Sequence, residues 1–137
     1  MTTSKAAIWL RVSTGEQHME NQLPQLRAWA ERRGWEVVKV YEVQESAYRG
    51  AHLKMLSQVY DDARLGHFTI LLVWALDRLT REGPQATLEV VNRFEKLECQ
   101  IYSLQESWTE VSGTMRGLLL SIVGWVAQSE SERRGER

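Results

Sequence analysis

The sequence is poor in cysteine and histidine, the residues that build disulfides and zinc centres. Its single cysteine, Cys99, excludes an internal disulfide and a cysteine-rich metal site. The three histidines, His18, His52 and His67, lack the spacing of metal ligands, so we expect no metal. A reduced protein in the cytoplasm is the expectation that follows from this cysteine usage.

A surplus of positive charge and a long hydrophobic run are also missing. The 17 lysines and arginines are balanced by 18 aspartates and glutamates, which gives a net charge of −1. The basic balance of a self-sufficient DNA-binding domain is therefore excluded, and contact with nucleic acid must come from local arginine clusters or from a further region. No apolar run reaches the length of a membrane span, and no signal-peptide core follows the first residues. A chain of 137 residues, 43% of them hydrophobic, is expected to bury a sizeable core.

Short apolar runs alternate with helical patterns along the chain, whereas residues 43–51 are polar and mixed and are predicted to form a loop. This alternation predicts an α/β fold in three layers, with a mostly parallel central sheet of four to five strands and helices on both faces. The predicted strands are residues 6–10, 36–41, 69–74 and 101–104, and the predicted helices are residues 21–33, 52–65 and a third that begins at Pro84 and faces inward with Leu88, Val91, Phe94 and Leu97.

From about residue 114 to the end, the sequence predicts one long helix. Its first half is almost wholly apolar and its second half is charged. Because a helix that is apolar around most of its circumference must be covered on several sides, we expect a subunit interface here. The chain stops inside the charged half without a cap, which we interpret as a fragment of a longer protein. The expected organisation is a core of residues 1–113 followed by the helix of residues 114–137.

Reactive side chains follow two of the predicted strands. Arg11 and Ser13 come at the end of the first, and Asp77, Arg78 and Arg81 follow the third. The carboxyl ends of parallel strands share one edge of a sheet, where ligands gather in open α/β folds. Guanidinium groups match the two-oxygen face of a phosphate, so a serine hydroxyl among them suits attack on a phosphodiester. Taken alone, the serine could instead be a turn residue and the charged side chains a surface ion-pair cluster.

Longer motifs around these residues resemble a known family. The stretches Ala7-Ile8-Trp9-Leu10-Arg11-Val12-Ser13-Thr14 and Leu76-Asp77-Arg78-Leu79-Thr80-Arg81, with Gln17 and Gln22 between them, resemble the catalytic domain of serine site-specific recombinases, the family of resolvases, invertases and large serine integrases. Residues 126–130 are similar to that family's long helix. A longer segment over residues 42–50 favours the large integrase or phage-type branch.

The resemblance implies a reaction and a role for each main residue. Ser13 would attack the scissile phosphate and form a 5′-phosphoserine link to DNA, followed by strand exchange and rejoining. Arg11, Arg78 and Arg81 would stabilise the transition state, while Asp77 would orient them or help proton transfer to the leaving oxygen. The family uses no metal and no other cofactor. Its substrate is double-stranded DNA recombination sites, and it acts as a dimer or tetramer. A bacterial or phage-encoded, nucleoid-associated protein of the cytoplasm is therefore expected.

Other positions matched by the resemblance are secondary, and some depart from the family pattern. An acid after the second strand could be Glu42 or Glu45. The secondary site residues are Gln17, Gln22, Glu42, Arg49, Lys54 and Glu130, with Arg49, His52 and Lys54 competing for one arginine position. Ser131 follows Glu130 where the family commonly has an arginine, which Arg133 or Arg134 could replace one turn later.

Two other functions remain open. The neutral charge and the apolar helix would suit a non-catalytic oligomerisation or regulatory module of a DNA-binding protein. A small phosphate- or nucleotide-binding domain is disfavoured, because no glycine-rich loop follows the first strand. The absence of a Gly-x-Ser-x-Gly motif around Ser13 speaks against an α/β-hydrolase.

Overall fold

The computed structural model describes residues 3–12, 18–44, 49–80, 83–110, 122 and 125–126. Strands and helices alternate throughout these residues. They are β1 (Lys5–Val12), α1 (His18–Arg33), β2 (Glu36–Gln44), α2 (Arg49–Arg64), β3 (Ile70–Val73), α3 (Pro84–Lys96) and β4 (Gln100–Ser103), with short 3-10 helices at Leu76–Arg78 and Ser107–Glu110.

The strands form one four-stranded parallel sheet in the order β2-β1-β3-β4. The chain moves from β1 outward to β2, returns across β1 to β3, and continues outward to β4. The direction of winding therefore reverses between β1 and β3, the place where open α/β sheets form a crevice at their carboxyl edge. The predicted parallel α/β architecture is confirmed.

Alternate residues of β1 face two different helical layers. Ala6, Ile8 and Leu10 pack in one core with α1, whereas Ala7 and Trp9 pack in a second core with α2 and α3. This parity follows from the two-residue period of a strand. The sheet is thus the middle of three layers, and both of its faces are buried, as the continuous apolar strands predict.

The helices begin and end for recognisable local reasons. Gly34 follows α1 with a φ of 74°, a backbone conformation that glycine adopts without steric cost and that ends the helix. Pro84 begins α3 at its first position, where the missing N–H costs no hydrogen bond. The predicted inward face of α3 is confirmed, since Leu88, Val91 and Phe94 are all buried.

Several predicted boundaries are wrong. β2 extends to Gln44, because β1 continues to Val12 and pairs with β2 as far as the pair Val12–Gln44. α2 begins at Arg49 instead of residue 52, so much of the predicted loop over residues 43–51 is strand or helix. α1 begins at His18 instead of residue 21, which places Pro24 inside the helix instead of in its first turn.

Most of the segment predicted as a long helix lies outside the described residues. Ile122, Trp125 and Val126 are described, and all three are helical and exposed. The division of the chain near residue 113 stays a prediction. Within the described residues, no helix is both long and apolar enough to cross a membrane.

Candidate active site

The segment that follows β3 carries two of the predicted site residues. After an extended residue at Ala75, the chain forms the 3-10 turn Leu76–Arg78. Leu76 and Leu79 are buried, and this anchors the turn so that Asp77 is left exposed and Arg78 half-buried. The Asp77 carboxylate lies 3.7 Å from Arg78 Nε, with 83% of the aspartate side chain in solvent. An ion pair this exposed contributes little to stability, so both groups remain available for other partners.

Two side chains of β1 hold this segment from across the sheet. The indole Nε1 of Trp9 donates a hydrogen bond of 2.8 Å to the carbonyl oxygen of Arg78. The guanidinium Nη1 of Arg11 donates one of 2.9 Å to the carbonyl oxygen of Thr80. The two donors are two residues apart on one face of a strand, and the two acceptors are two residues apart on the segment they hold. Arg11, Asp77 and Arg78 are therefore brought to the carboxyl edge of the sheet between β1 and β3, where the direction of winding reverses.

The positioning role of Trp9 is one that sequence reasoning missed. Its identity as a buried aromatic residue was evident, and it is 1% exposed. A buried indole N–H almost always needs an acceptor, and Trp9 shares the strand parity of Arg11. Those two facts are the signal in the sequence that this donor is aimed at the same edge as Arg11.

Three of the predicted site residues, Ser13, Gln17 and Arg81, lie outside the described residues, as does Glu130. Their placement stays a prediction. Val12, the last residue of β1, is described and directly precedes Ser13 in the sequence.

Gln22 and Glu42 are placed on the other side of the sheet from Arg11. Glu42 pairs in register with Leu10, which packs toward α1, and its side chain is exposed. Gln22 is buried in α1 itself. Arg11 pairs instead with Val43, which belongs to the core beneath α2 and α3. The structure therefore does not bring Glu42 together with Arg11.

The three candidates for the loop arginine differ in position. Arg49 is the first residue of α2, and its side chain is outside the described part of the structure. Lys54 is exposed. His52 is half-buried and lines a groove of about 900 Å³ between α2 and α3, together with Leu79 and Thr80. Its Nε2 atom is buried and has no hydrogen-bond partner among the described residues.

The one thiol of the chain is unsuited to nucleophilic attack. Cys99 is fully buried, and this burial raises the pKa of its thiol to about 12. Because the thiolate is the reactive form, the group is inert at neutral pH. In the described residues, histidine, cysteine, aspartate and glutamate side chains form no cluster of three that could hold a metal ion.

Comparisons with known proteins agree on one family. The family model described as the N-terminal domain of resolvase matches residues 6–137. The N-terminal catalytic domain of TP901-1 integrase is 33% identical, with a TM-score of 0.74 over 97% of this chain and 99% of that one. No curated protein matches the sequence significantly.

More distant solved structures share the fold. The catalytic domain of ISC1926 TnpA, an IS607-like serine recombinase, is 21% identical, with a TM-score of 0.60 over 86% of this chain and 78% of that one. A serine recombinase from Sulfolobus solfataricus is 18% identical, with a TM-score of 0.54 over 99% and 89%. The chain belongs to the resolvase N-terminal domain family and has the fold of a serine recombinase catalytic domain.

Proposed function

We propose that this chain is the catalytic domain of a site-specific DNA recombinase that cuts and rejoins double-stranded DNA through a phosphoserine intermediate. The observation that carries the proposal is the pair of hydrogen bonds from Trp9 to the Arg78 carbonyl and from Arg11 to the Thr80 carbonyl. They tie the end of the strand that precedes Ser13 to the segment with Asp77 and Arg78. Side chains 69 residues apart in sequence thus share one edge of the sheet.

In the proposed reaction, the Ser13 oxygen forms a bond to the scissile phosphorus while the bond from phosphorus to the 3′ oxygen breaks. Ser13 loses its proton, and the leaving oxygen gains one and becomes a 3′-hydroxyl. One phosphate ester replaces another, so the reverse attack by a 3′-hydroxyl rejoins the strand without an external energy source. Asp77 orients the neighbouring guanidiniums or relays the proton.

Arginines provide the charge stabilisation in this proposal. Arg11, Arg78 and Arg81 bind the nonbridging phosphate oxygens, which become more crowded and more negative in the transition state. Guanidinium groups stay protonated at physiological pH and can bind two oxygens at once. Arg11 uses Nη1 to hold the Thr80 carbonyl. Its proposed phosphate contact is therefore made from a side chain whose orientation is already fixed.

The secondary residues are proposed to support this centre. Gln17 would orient the phosphate or its arginines. Of the two candidates for the loop arginine whose side chains the structure describes, His52 lines the same groove as Thr80, whereas Lys54 is exposed. Arg49 and Lys54 would contact the DNA backbone from α2. Glu42 and Glu130 are proposed to have supporting roles outside this centre.

We also propose that residues 114–137 form a helix for self-association as a dimer or tetramer and lead to a DNA-binding region. Ile122, Trp125 and Val126 support this, since their side chains are 48%, 70% and 44% exposed. Residues three and four apart lie on one face of a helix. Large apolar side chains grouped this way favour burial against a partner. A bacterial or phage-encoded protein acting on DNA in the cytoplasm is part of the same proposal.

Trapping the covalent intermediate tests the proposal. The full-length gene product is incubated with a duplex that carries its recombination sites, and the mixture is denatured. We expect protein attached to DNA 5′ ends, with mass spectrometry locating the phosphate on Ser13. Ser13→Ala should give no adduct, while Ser4→Ala, which changes an exposed serine before β1, should behave as wild type. A folded, DNA-bound protein that yields no adduct would instead favour the regulatory module.

A further inference from the structure

A carboxylate from beyond β4 caps the turn that carries the site residues. The backbone N–H of Leu76, the first of the 3-10 turn, donates a hydrogen bond of 3.1 Å to Glu106 Oε1. The preceding residue, Ala75, contributes no side-chain cap. The first N–H groups of a helical turn have no partner within the turn, so an acceptor from elsewhere in the chain fixes where the turn begins.

Glu106 is itself held by a buried polar network. The hydroxyl of Ser103 donates to the same Oε1 atom that accepts from Leu76. Thr109 Oγ1 accepts 2.9 Å from the backbone N–H of Ser103 and donates 2.8 Å to the carbonyl oxygen of Glu106. Ser103 and Thr109 are 0% and 1% exposed. Buried polar groups that are all hydrogen-bonded form a stiff arrangement, because any displacement leaves one of them without a partner.

Backbone hydrogen bonds also join the segment after β4 to the end of β3 and the residue that follows it. The N–H of Leu104 donates to the Val73 carbonyl, and the N–H of Gln105 donates to the Trp74 carbonyl, each at 3.0 Å. The backbone contact between the two segments therefore continues past Ser103, the last residue of β4. This continuation delivers Glu106 to the start of the turn at Leu76.

The turn is thus held at both ends by different neighbours. Glu106 fixes its first N–H, whereas Trp9 holds the carbonyl of Arg78 at its other end. Asp77 lies between these two points. Loss of Glu106 or of Trp9 would therefore move Asp77 and Arg78, even if neither residue contacts DNA.

We infer that Glu106 is a positioning residue of the proposed recombinase site, acting through the Leu76 amide and held in place by Ser103. The inference rests on the proposed function. Two donors converge on one oxygen of Glu106, so the chemical requirement is an acceptor at that point. A glutamine keeps a carbonyl oxygen there, and an alanine does not.

The test compares Glu106→Ala, Glu106→Gln and Glu110→Ala in the full-length protein. Glu110 is the last residue of the short 3-10 helix that follows Glu106, and it pairs with Arg33 of α1 and makes no hydrogen bond to Leu76, so it is the matched control. The first measurement is the rate of Ser13–DNA adduct formation with protein in excess, alongside DNA affinity. The second is hydrogen exchange of the amides of residues 76–80, which requires no activity.

We expect Glu106→Ala to form adduct about 10- to 100-fold more slowly, the scale on which small misplacements of catalytic groups act. Its DNA affinity should be unchanged and the Leu76 amide should exchange faster. Glu106→Gln should recover both properties, and Glu110→Ala should alter neither. Ser103→Ala, which keeps the acceptor but removes its support, should fall between Glu106→Ala and wild type and serves if Glu106→Ala does not fold.

Two results would overturn the inference. One is a folded Glu106→Ala protein with wild-type adduct formation and unchanged exchange at Leu76. The other is Glu106→Gln as slow as Glu106→Ala with normal exchange, because the charge of Glu106 would then act by itself. If no protein in the series forms an adduct, the proposed function fails. The exchange of Leu76 would still decide whether Glu106 holds the turn.

Discussion

Two buried aromatic residues that lie side by side on neighbouring strands hold different parts of the fold. Trp9 of β1 and Tyr41 of β2 are register partners, and each is 1% exposed. Trp9 donates its indole N–H to the backbone carbonyl of Arg78, at the carboxyl edge. Tyr41 donates its hydroxyl over 2.5 Å to the Asp62 carboxylate, in the last turn of α2. Both satisfy a buried polar atom, but only Trp9 acts on a segment with proposed site residues.

The surroundings of these two hydrogen bonds also differ. Around Asp62, two basic side chains lie close to the carboxylate, with Lys39 Nζ at 3.5 Å and His67 Nδ1 at 3.6 Å. That cluster joins side chains to side chains and so fastens α2 to β2. Around the turn at residues 76–78, the side chains of Trp9 and Glu106 bind backbone groups and so fix the path of the chain. A path fixed in this way positions whatever side chains lie along it. We infer that the first cluster serves stability and the second serves positioning.

The largest expected effect on cleavage comes from replacing Arg11. This residue both holds the segment after β3 and takes part in the proposed chemistry. Arg11→Ala removes a guanidinium from the phosphate and the hydrogen bond from the Thr80 carbonyl. We expect adduct formation to fall about 10²- to 10³-fold, as when one donor to a developing negative charge is lost. Arg11→Lys should recover little, because an ammonium group lacks the planar fork. Single-turnover cleavage measures the loss, and near-wild-type rates in both variants would remove Arg11 from the site.

Trp9→Phe sharpens the comparison, because it removes the donor and keeps an aromatic ring in the core. The Arg78 carbonyl loses its bond from β1. We expect about a tenfold slower adduct formation, smaller than the loss caused by a 1 Å displacement of reacting groups. The free energy of unfolding should fall by about 1 kcal/mol. Cleavage rates and urea unfolding check the two effects, and a lower stability with an unchanged rate would contradict the positioning role.

Tyr41→Phe is the matched change at the other cluster. It removes a hydrogen bond to a carboxylate, so we expect a loss of about 2 kcal/mol in the free energy of unfolding. Adduct formation should stay at the wild-type rate under conditions where the variant is folded. If Tyr41→Phe slowed cleavage as much as Trp9→Phe does, the separation between the two clusters would fail.

The same variant should change the response to acid. The hydrogen bond from Tyr41 lowers the pKa of Asp62 from its ordinary 3.8, as do Lys39 and His67, while burial opposes them. The unfolded chain therefore binds this proton at higher pH than the folded chain does. The stabilisation is present above 3.8 and is lost as the pH falls through the lowered value. Thermal unfolding from neutral pH to about pH 3 should show a flatter acid dependence for Tyr41→Phe. Equal pH slopes in the variant and the wild type would show that the hydrogen bond from Tyr41 does not lower the pKa of Asp62.

Lys39→Met should have the smallest effect. Its ammonium lies 3.5 Å from Asp62, and 45% of the lysine side chain is exposed. Half-exposed ion pairs contribute about 0.5 kcal/mol or less. Urea unfolding at low and high salt should show a small difference that salt removes, with no change in cleavage. A large loss at either ionic strength would place Lys39 in the stabilising cluster on equal terms with Tyr41.

Much of the fold was predictable because its signals are local. Short apolar runs identified the four strands of the described residues, and the period of α3 identified its inward face. The end of β2 was not predictable, since it depends on pairing with a distant strand. Val43 and Gln44 look like loop residues in isolation, yet they complete the ladder with Arg11 and Val12. The composition of a segment cannot reveal a partner that is 32 residues away in the sequence.

The sequence by itself determined the α/β class, the alternation that buries both faces of the sheet, and the identity of the motifs around Arg11 and Asp77. These depend on residue type and periodicity, which are properties of short stretches. Only the tertiary structure decided that Trp9 and Glu106 hold the two ends of one turn, and that Glu42 lies on the opposite face from Arg11. The reason is physical. A hydrogen bond between distant residues is set by strand order and register, which arise only when all the strands have paired.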